Sequence, residues 1–147
     1  MRSIRFPQFS ASTKNTLNKL AIHKAKGYTA NLKSLQASAF SGGFFNNPLL
    51  DDDGVFRRVP LLQTYENELH ESLALALTRA ATGSPAIEMV VETNQDSDDL
   101  FLEWVTIGEI AIPVDHSSGV LVPYIGKQKS FEYIPATDVL NKRGDRD

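Results

Sequence analysis

The sequence predicts one α+β domain in which two or three N-terminal helices pack on a four- to five-stranded antiparallel β-meander. The length of 147 residues is that of one ordinary domain, and a hydrophobic content of 41% is sufficient for a packed core. Apolar residues recur every three or four positions before about residue 86 and follow a strand-like pattern after it, which predicts helices first and strands second. We therefore assign residues 1–147 to a single domain.

The first unit, residues 1–40, is predicted to be a basic helical segment. A serine or threonine between residues 10 and 13 can cap a helix that runs to about Ala25, and Gly27 can end it. A second helix is expected over residues 29–40. Its apolar residues are three and four positions apart, which predicts a buried stripe made of Leu32, Leu35 and Ala39.

Residues 41–63 are expected to form a long connection. Turn-forming residues occur along it, namely Gly42, Gly43, Asn46, Asn47, Pro48 and Gly54. The same segment is rich in large apolar side chains, which argues against a disordered linker. We expect this apolar loop to lie on the body of the protein or against a partner.

Residues 64–81 have the strongest helical pattern in the chain. Thr64 can serve as the N-cap, acidic residues occupy the first turn, and Arg79 lies in the last turn before Gly83. The expected buried stripe of this helix consists of Tyr65, Leu69, Leu73, Ala76, Leu77 and Ala80.

Residues 86–134 are predicted to form the meander. The expected strands are 86–92, 100–107, 109–114, 120–125 and 130–134, separated by short polar turns. Gly108 is interpreted as a bulge between two of them. Pro113 and Pro123 have no backbone N–H and cannot donate a hydrogen bond to a neighbouring strand. The hairpin of strands 109–114 and 120–125, which contains them, is therefore expected at a sheet edge. Residues 140–147 form a polar tail.

No catalytic or cofactor-binding signature is present. The absence of cysteine excludes disulfides, thiolate metal sites and cysteine nucleophiles. The chain has neither a glycine-rich phosphate loop nor a GxSxG nucleophile turn. We therefore assign no catalytic, cofactor-binding or metal residue and expect no cofactor.

Four weaker patterns have simpler interpretations. Residues 51–54 and 94–99 are acidic, but neither has glycine and glutamate at the positions that a calcium loop requires, so both are interpreted as polar turns. Glu66 and His70 have the spacing of two metal ligands on a helix, yet such pairs are common on polar helix faces. Residues 116–119 place serine beside histidine and are interpreted as a turn.

Charge is distributed unevenly along the chain. Residues 1–50 contain seven lysines and arginines and no acid, whereas the net charge of the whole chain is −3. Such an asymmetry predicts either a basic surface for an acidic partner or packing of the basic segment on the chain's own acidic part. The candidate basic surface consists of Lys14, Lys19, Lys24, Lys26 and Lys33.

The apolar loop also combines aromatic and arginine side chains, which is the composition of interface hot spots. The candidate interface consists of Phe44, Phe45, Phe56, Arg57 and Arg58. The alternative interpretation is that these aromatic residues fill the core of their own domain.

Taken together, these features predict a non-enzymatic interaction or assembly module, of the kind found among structural and inhibitor proteins of phages and mobile elements. A protein partner or self-association is expected, and no membrane span is predicted because no apolar run approaches roughly 20 residues. One alternative is a nucleic-acid-associated accessory protein that uses the basic N-terminal helices. Another is a small metal-dependent enzyme that uses residues 51–53 with His70. The expected location is the cytoplasm, or a virion.

Overall fold

The computed structural model describes residues 17–93, 100–127 and 129–141. It combines short helices with antiparallel strands, so the predicted α+β class is confirmed at that level. The helices are α1 (Lys33–Ser38), α2 (Leu73–Ala81) and α3 (Ala136–Leu140). The strands are β1 (Arg58–Pro60), β2 (Leu62–Tyr65), β3 (Glu68–Glu71), β4 (Ile87–Thr93), β5 (Leu100–Ile107), β6 (Ile110–Pro113) and β7 (Gly119–Leu121).

The strands form three small sheets within the described part of the chain. Strands β4, β5 and β6 form a meander in that order, β2 and β3 form a hairpin, and β1 pairs with the distant β7. All of these pairings are antiparallel. The meander therefore has three strands and not the predicted four or five, because β7 leaves it to pair with β1.

The helix predicted over residues 64–81 is wrong in its first half, where the chain forms the β2–β3 hairpin. Glu66 and Asn67 are the two loop residues, with φ values of 50° and 61°. Two-residue hairpin loops with positive φ match the natural twist of paired strands. Thr64, the predicted N-cap, lies in β2 opposite Leu69. Strand pairing and burial outweigh the helical spacing of the apolar residues here.

Ser72 follows β3 directly and is the N-cap of helix α2. The Ser72 hydroxyl accepts a hydrogen bond from the backbone N–H of Leu75 at 3.2 Å, which caps the helix. The predicted buried stripe is only partly correct, because Ala76 is buried but Leu77 is 62% exposed. The buried face is Leu75 and Ala76, since a helix of nine residues contacts the core over one narrow strip.

The predicted bulge of the meander lies at a different residue. The register of β4 and β5 shifts where Val90 pairs with Trp104 and Val91 pairs with Leu102, which leaves Glu103 as the extra residue. Gly108 instead occupies the tight turn between β5 and β6, with a φ of 59° that favours glycine. Pro113 ends the edge strand β6, as predicted.

The last predicted strand, 130–134, is not formed. Residues 132–135 have no regular structure and lead into the short helix α3, which the sequence did not predict. The segment has strand-forming residues but finds no strand to pair with among the described residues, and β-propensity alone does not make a strand. Residues 142–147 of the predicted tail lie outside the described residues.

The N-terminal helices are also shorter than predicted. Residues 17–19 form a helical turn, after which the chain runs extended, and Lys24 forms a parallel bridge with Thr64 of β2. The expected capping residues 10–13 lie outside the described residues. Helix α1 has six residues and buries none of them, so the stripe predicted on it does not exist. A helix this short stabilises itself poorly, and Leu35 at its centre is 55% exposed.

The core is built mainly from the hairpin, α2 and one face of the meander. Its central cluster of buried apolar residues consists of Leu17, Leu20, Ile22, Leu61, Leu62, Leu69, Leu75, Ile87, Leu102, Val105 and Ile107. Gly43 brings a further segment against this core, since a Cβ there would lie 2.5 Å from the backbone of Leu73. The close approach of two backbones explains why glycine stands at this position.

Candidate functional site

A small cleft opens over one face of the β2–β3 hairpin. Its accessible volume is about 40 Å³, which is room for about three water molecules. Gln63 of β2 and His70 of β3 form its floor, with 3% and 7% of their surfaces exposed. The walls are Ala25, Gly27, Tyr28, Phe44, Asn46 and Tyr65.

Two extended segments hold the cleft in shape by continuing the hairpin on both sides. On the β2 side, the backbone N–H of Thr64 donates to the carbonyl of His23 at 2.9 Å, and the N–H of Ala25 donates to the carbonyl of Thr64 at 2.8 Å. On the β3 side, the N–H of Phe44 donates to the carbonyl of Glu71 at 3.1 Å. The walls are therefore fixed by backbone hydrogen bonds and not by side-chain packing alone.

The floor of the cleft carries two buried nitrogen atoms without a hydrogen-bond partner. They are Nε2 of Gln63 and Nε2 of His70. The two residues are directly opposite in the hairpin register, so their side chains leave the same face of the sheet with Cβ atoms about 5 Å apart. An unsatisfied buried polar group costs about 1–3 kcal/mol, which a polar group bound in the cleft would recover.

His70 is held in its neutral form. Burial lowers the pKa of His70, and this effect outweighs the nearby Glu68 and a hydrogen bond to the backbone of Tyr65, both of which favour the charged ring. The backbone hydrogen bond with Tyr65 favours the protonated ring, so in it the carbonyl of Tyr65 accepts from a ring N–H of His70. Since Nε2 has no partner, Nδ1 carries the proton and Nε2 keeps a free lone pair.

Aromatic side chains line the mouth of the cleft. The rings of Tyr28 and Tyr65 are 5.2 Å apart in an edge-to-face arrangement, and the ring of His70 lies 6.3 Å from that of Tyr65. The neighbouring carboxylate of Glu66 accepts a hydrogen bond from Tyr65 and raises the pKa of its hydroxyl. The accessible surface of the cleft is thus mostly apolar, and the two free nitrogen atoms of its floor residues are buried.

The acidic loop forms a second polar cluster, in which the acids are paired with arginine. Arg57 contacts Asp53 at 2.7 Å and Asp51 at 3.2 Å, while Arg58 contacts Asp51 at 2.9 Å and Asp115 at 3.3 Å. These hydrogen bonds lower the pKa values of Asp51, chiefly through Arg58, and of Asp53, chiefly through Arg57. The cluster ties the acidic turn to β1 and to the turn before β7.

The family model of the CHASE2 domain matches residues 5–147, which is nearly the whole chain. The chain belongs to the CHASE2 domain family. CHASE2 domains are extracellular sensory domains found in signalling proteins. No curated protein and no solved structure matches the chain.

Membership of the CHASE2 family corrects the function expected from the sequence. An assembly module, structural protein or inhibitor of a phage does not fit a family of sensory domains, and that prediction is wrong. The prediction rested on the lack of catalytic motifs, the apolar loop and the contrast between the basic first segment and the acidic remainder of the chain. No helix within 17–93, 100–127 and 129–141 is both long and apolar enough to cross a membrane.

The residues of the candidate interface are separated in this CHASE2 domain. Phe44 is half-buried and lines the cleft, whereas Phe45 is 88% exposed. Phe56 is 41% exposed, and its carbonyl accepts a hydrogen bond from the hydroxyl of Tyr124. Arg57 and Arg58 belong to the ion-pair cluster. A role in an interface stays a prediction for these five residues.

The candidate basic surface is described only in part. Lys14 lies outside the described residues. Lys19, Lys24, Lys26 and Lys33 are exposed, with Lys24 and Lys26 on either side of Ala25 in the wall of the cleft. Binding of a partner by these lysines stays a prediction.

The weak metal and catalytic patterns do not assemble into a centre. Among the residues that the structure describes, no group of three or more histidines and acids could hold a metal ion. Glu66 and His70 lie on a hairpin and not on a helix. Residues 116–119 form the predicted turn, in which the Ser118 hydroxyl donates to the carbonyl of Leu62 at 2.8 Å. The acidic segment 94–99 lies outside the described residues.

Sequence reasoning missed the cleft because it placed its two floor residues in different elements. Gln63 was assigned to the end of the apolar loop and His70 to a helix, so the predicted elements gave no reason to place the two residues side by side. The available signal was local, since Asn67 is a residue that tolerates a left-handed conformation and the strand formers Thr64 and Tyr65 precede it. Interpreting residues 62–71 as a hairpin would have placed Gln63 opposite His70.

Proposed function

We propose that this chain is the ligand-sensing input domain of a signalling protein and that the cleft over the β2–β3 hairpin is its ligand-binding site. The observation that carries the proposal is the pair of buried, unpartnered nitrogen atoms at the floor of that cleft. Native proteins leave few such groups unsatisfied, so their presence in a cavity favours a bound polar group. Membership of a sensory family supports a small molecule as that group.

The fold offers a short route from the cleft to helix α2. His70 is followed by Glu71, whose carboxylate oxygens both accept from Nη1 of Arg79 at 2.8 Å. On the opposite wall, the carbonyl of Phe44 accepts from the N–H of Leu73 at 2.7 Å, at the first residue of the helix. A ligand that shifts His70 or Phe44 would displace α2, and we propose this displacement as the signal that the domain transmits.

We further propose that the domain acts outside the cytoplasm and binds its ligand without chemical conversion. Both proposals follow from the extracellular sensory character of the family. They replace the cytoplasmic location expected from the sequence. A chain without cysteine needs no disulfide formation and folds equally well in an oxidising compartment.

The test is a binding screen on the purified chain, in which backbone amide and side-chain NMR signals report binding. A library of small polar compounds is expected to contain members that shift the signals of Gln63, His70 and Tyr28 together. The His70→Phe variant should lose this response. The matched control is His116→Phe, which makes the same change in an exposed turn and should keep the response.

Two results would contradict the proposal. One is a library in which no compound shifts the signals of the cleft residues. The other is binding that shifts signals elsewhere and persists unchanged in His70→Phe. Folding of both variants is checked by far-UV circular dichroism, so that loss of structure is not mistaken for loss of binding.

A further inference from the structure

The two free nitrogen atoms of the cleft differ in hydrogen-bonding character. The amide nitrogen of Gln63 can only donate, because Nε2 carries two hydrogens and no lone pair available for acceptance. Nε2 of His70 can only accept in the neutral ring whose proton lies on Nδ1. The two residues of the cleft floor therefore carry one free donor and one free acceptor, buried at directly opposite positions of the hairpin.

We propose that the cleft binds a ligand through an uncharged primary carboxamide group, carried on a small apolar or aromatic body. The carbonyl oxygen of the carboxamide accepts from Gln63, and its N–H donates to His70. This inference rests on the proposed function, because it names the ligand chemistry of the same site.

The size and lining of the cleft agree with this group. An accessible volume of about 40 Å³, or about three waters, accommodates the few heavy atoms of a carboxamide and no large body. The body would remain at the mouth, where Tyr28 is 53% exposed and Phe44 and Tyr65 are partly exposed. Aromatic side chains favour a planar apolar body at this place.

Other head groups match the floor less well. A carboxylate has acceptors only, so one of its oxygens would face the lone pair of His70. A ketone also lacks a donor and would leave His70 unpaired. A single hydroxyl can donate and accept, but it offers one atom to two side chains that are directly opposite and about 5 Å apart at Cβ.

The experiment compares how tightly four probes of similar shape bind to the purified chain. The probes are benzamide, N,N-dimethylbenzamide, benzoate and acetophenone. Dissociation constants are measured from NMR shifts, and the ¹⁵N signal of His70 Nε2 reports whether that atom accepts a hydrogen bond. Benzamide is expected to bind at least about tenfold more tightly than the other three, because each of them leaves His70 unpaired. Its binding should move the His70 Nε2 signal and the side-chain NH₂ signals of Gln63.

Two variants test the partners separately. Gln63→Met and His70→Phe keep the side-chain volume approximately and remove one hydrogen bond each. Each should weaken benzamide binding about tenfold and reduce the preference for benzamide over acetophenone. The His116→Phe variant is the control and should bind benzamide as the unchanged chain does.

The outcomes separate this inference from the proposed function. If benzamide does not bind but an alcohol or acid from the screen shifts Gln63 and His70, the carboxamide assignment is overturned while the cleft remains the ligand site. If no compound of any class shifts these residues, both the assignment and the proposed function fail. Equal affinity for benzamide and acetophenone would also overturn the carboxamide assignment.

Discussion

Nη1 of Arg79 in helix α2 donates to both carboxylate oxygens of Glu71 in β3, at 2.8 Å each. The Glu71 side chain is fully buried and that of Arg79 is 15% exposed. Nε of Arg79 also donates to the carbonyl of Pro85 at 2.8 Å. One side chain thus joins the hairpin, the helix and the segment that leads into β4, next to the candidate ligand site.

Arg79→Met should lower the free energy of unfolding by about 3–5 kcal/mol, because it leaves the buried carboxylate of Glu71 without its cation. Urea denaturation measures the change. The double variant Glu71→Met with Arg79→Met should recover much of the loss, since removing both partners leaves no unpaired buried charge. A double variant as unstable as the single variant would show that the arginine contributes by packing and not by charge.

Ser118→Ala should destabilise the fold by about 1–3 kcal/mol. The Ser118 side chain is completely buried, its hydroxyl donates to the carbonyl of Leu62, and it accepts from the Leu62 N–H at 3.3 Å. The substitution leaves these backbone groups unpaired. Ser117→Ala is the control, because Ser117 contributes to the turn through its backbone N–H, which donates to Asp115 and is kept in the variant. Thermal unfolding should show a clearly lower midpoint for Ser118→Ala than for Ser117→Ala.

Asn67→Val should destabilise the hairpin by about 1–2 kcal/mol, whereas Asn67→Gly should be neutral or stabilising. Asn67 has a φ of 61°, which a β-branched residue adopts at high cost and glycine adopts freely. Glu109→Val is the control, because Glu109 occupies the second position of another two-residue turn but has no positive φ. Equal losses from the two valine substitutions would contradict the conformational explanation.

The unfolding free energy should fall as the pH is lowered below about 6.5, the ordinary pKa of histidine. Burial lowers the pKa of His70 in the folded chain, so the unfolded chain binds its proton first. Acid therefore favours unfolding until the pH passes below the folded pKa, and the contribution of His70 is constant beyond that point.

Urea denaturation between pH 7.5 and 5.5 measures this dependence. His70→Phe should have a flatter profile than the unchanged chain, and His116→Phe should keep the original slope. A profile for His70→Phe that is as steep as the original would assign the dependence to another group.

The acidic turn and the cleft show which features could be predicted from the sequence and which could not. The acidic turn at 51–54 was correctly interpreted as a turn, because aspartate and glycine act through local backbone geometry. Its pairing with Arg58 and Asp115 depends on the contact of β1 with β7, which are far apart in the sequence. The cleft depends likewise on Gln63 lying opposite His70 and on Phe44 lying beside Glu71.

The sequence by itself determined the α+β class, the strands β4 and β5, the turn at 116–119 and the glycine that follows α2. Each of these depends on neighbouring residues, through alternation of apolar side chains or the conformational preferences of turn formers. The tertiary structure decided the rest: the hairpin in place of half a helix, the exposure of α1, the partner of β7 and the cleft. In these places two local conformations were close in free energy, and burial with distant strand pairing selected one of them.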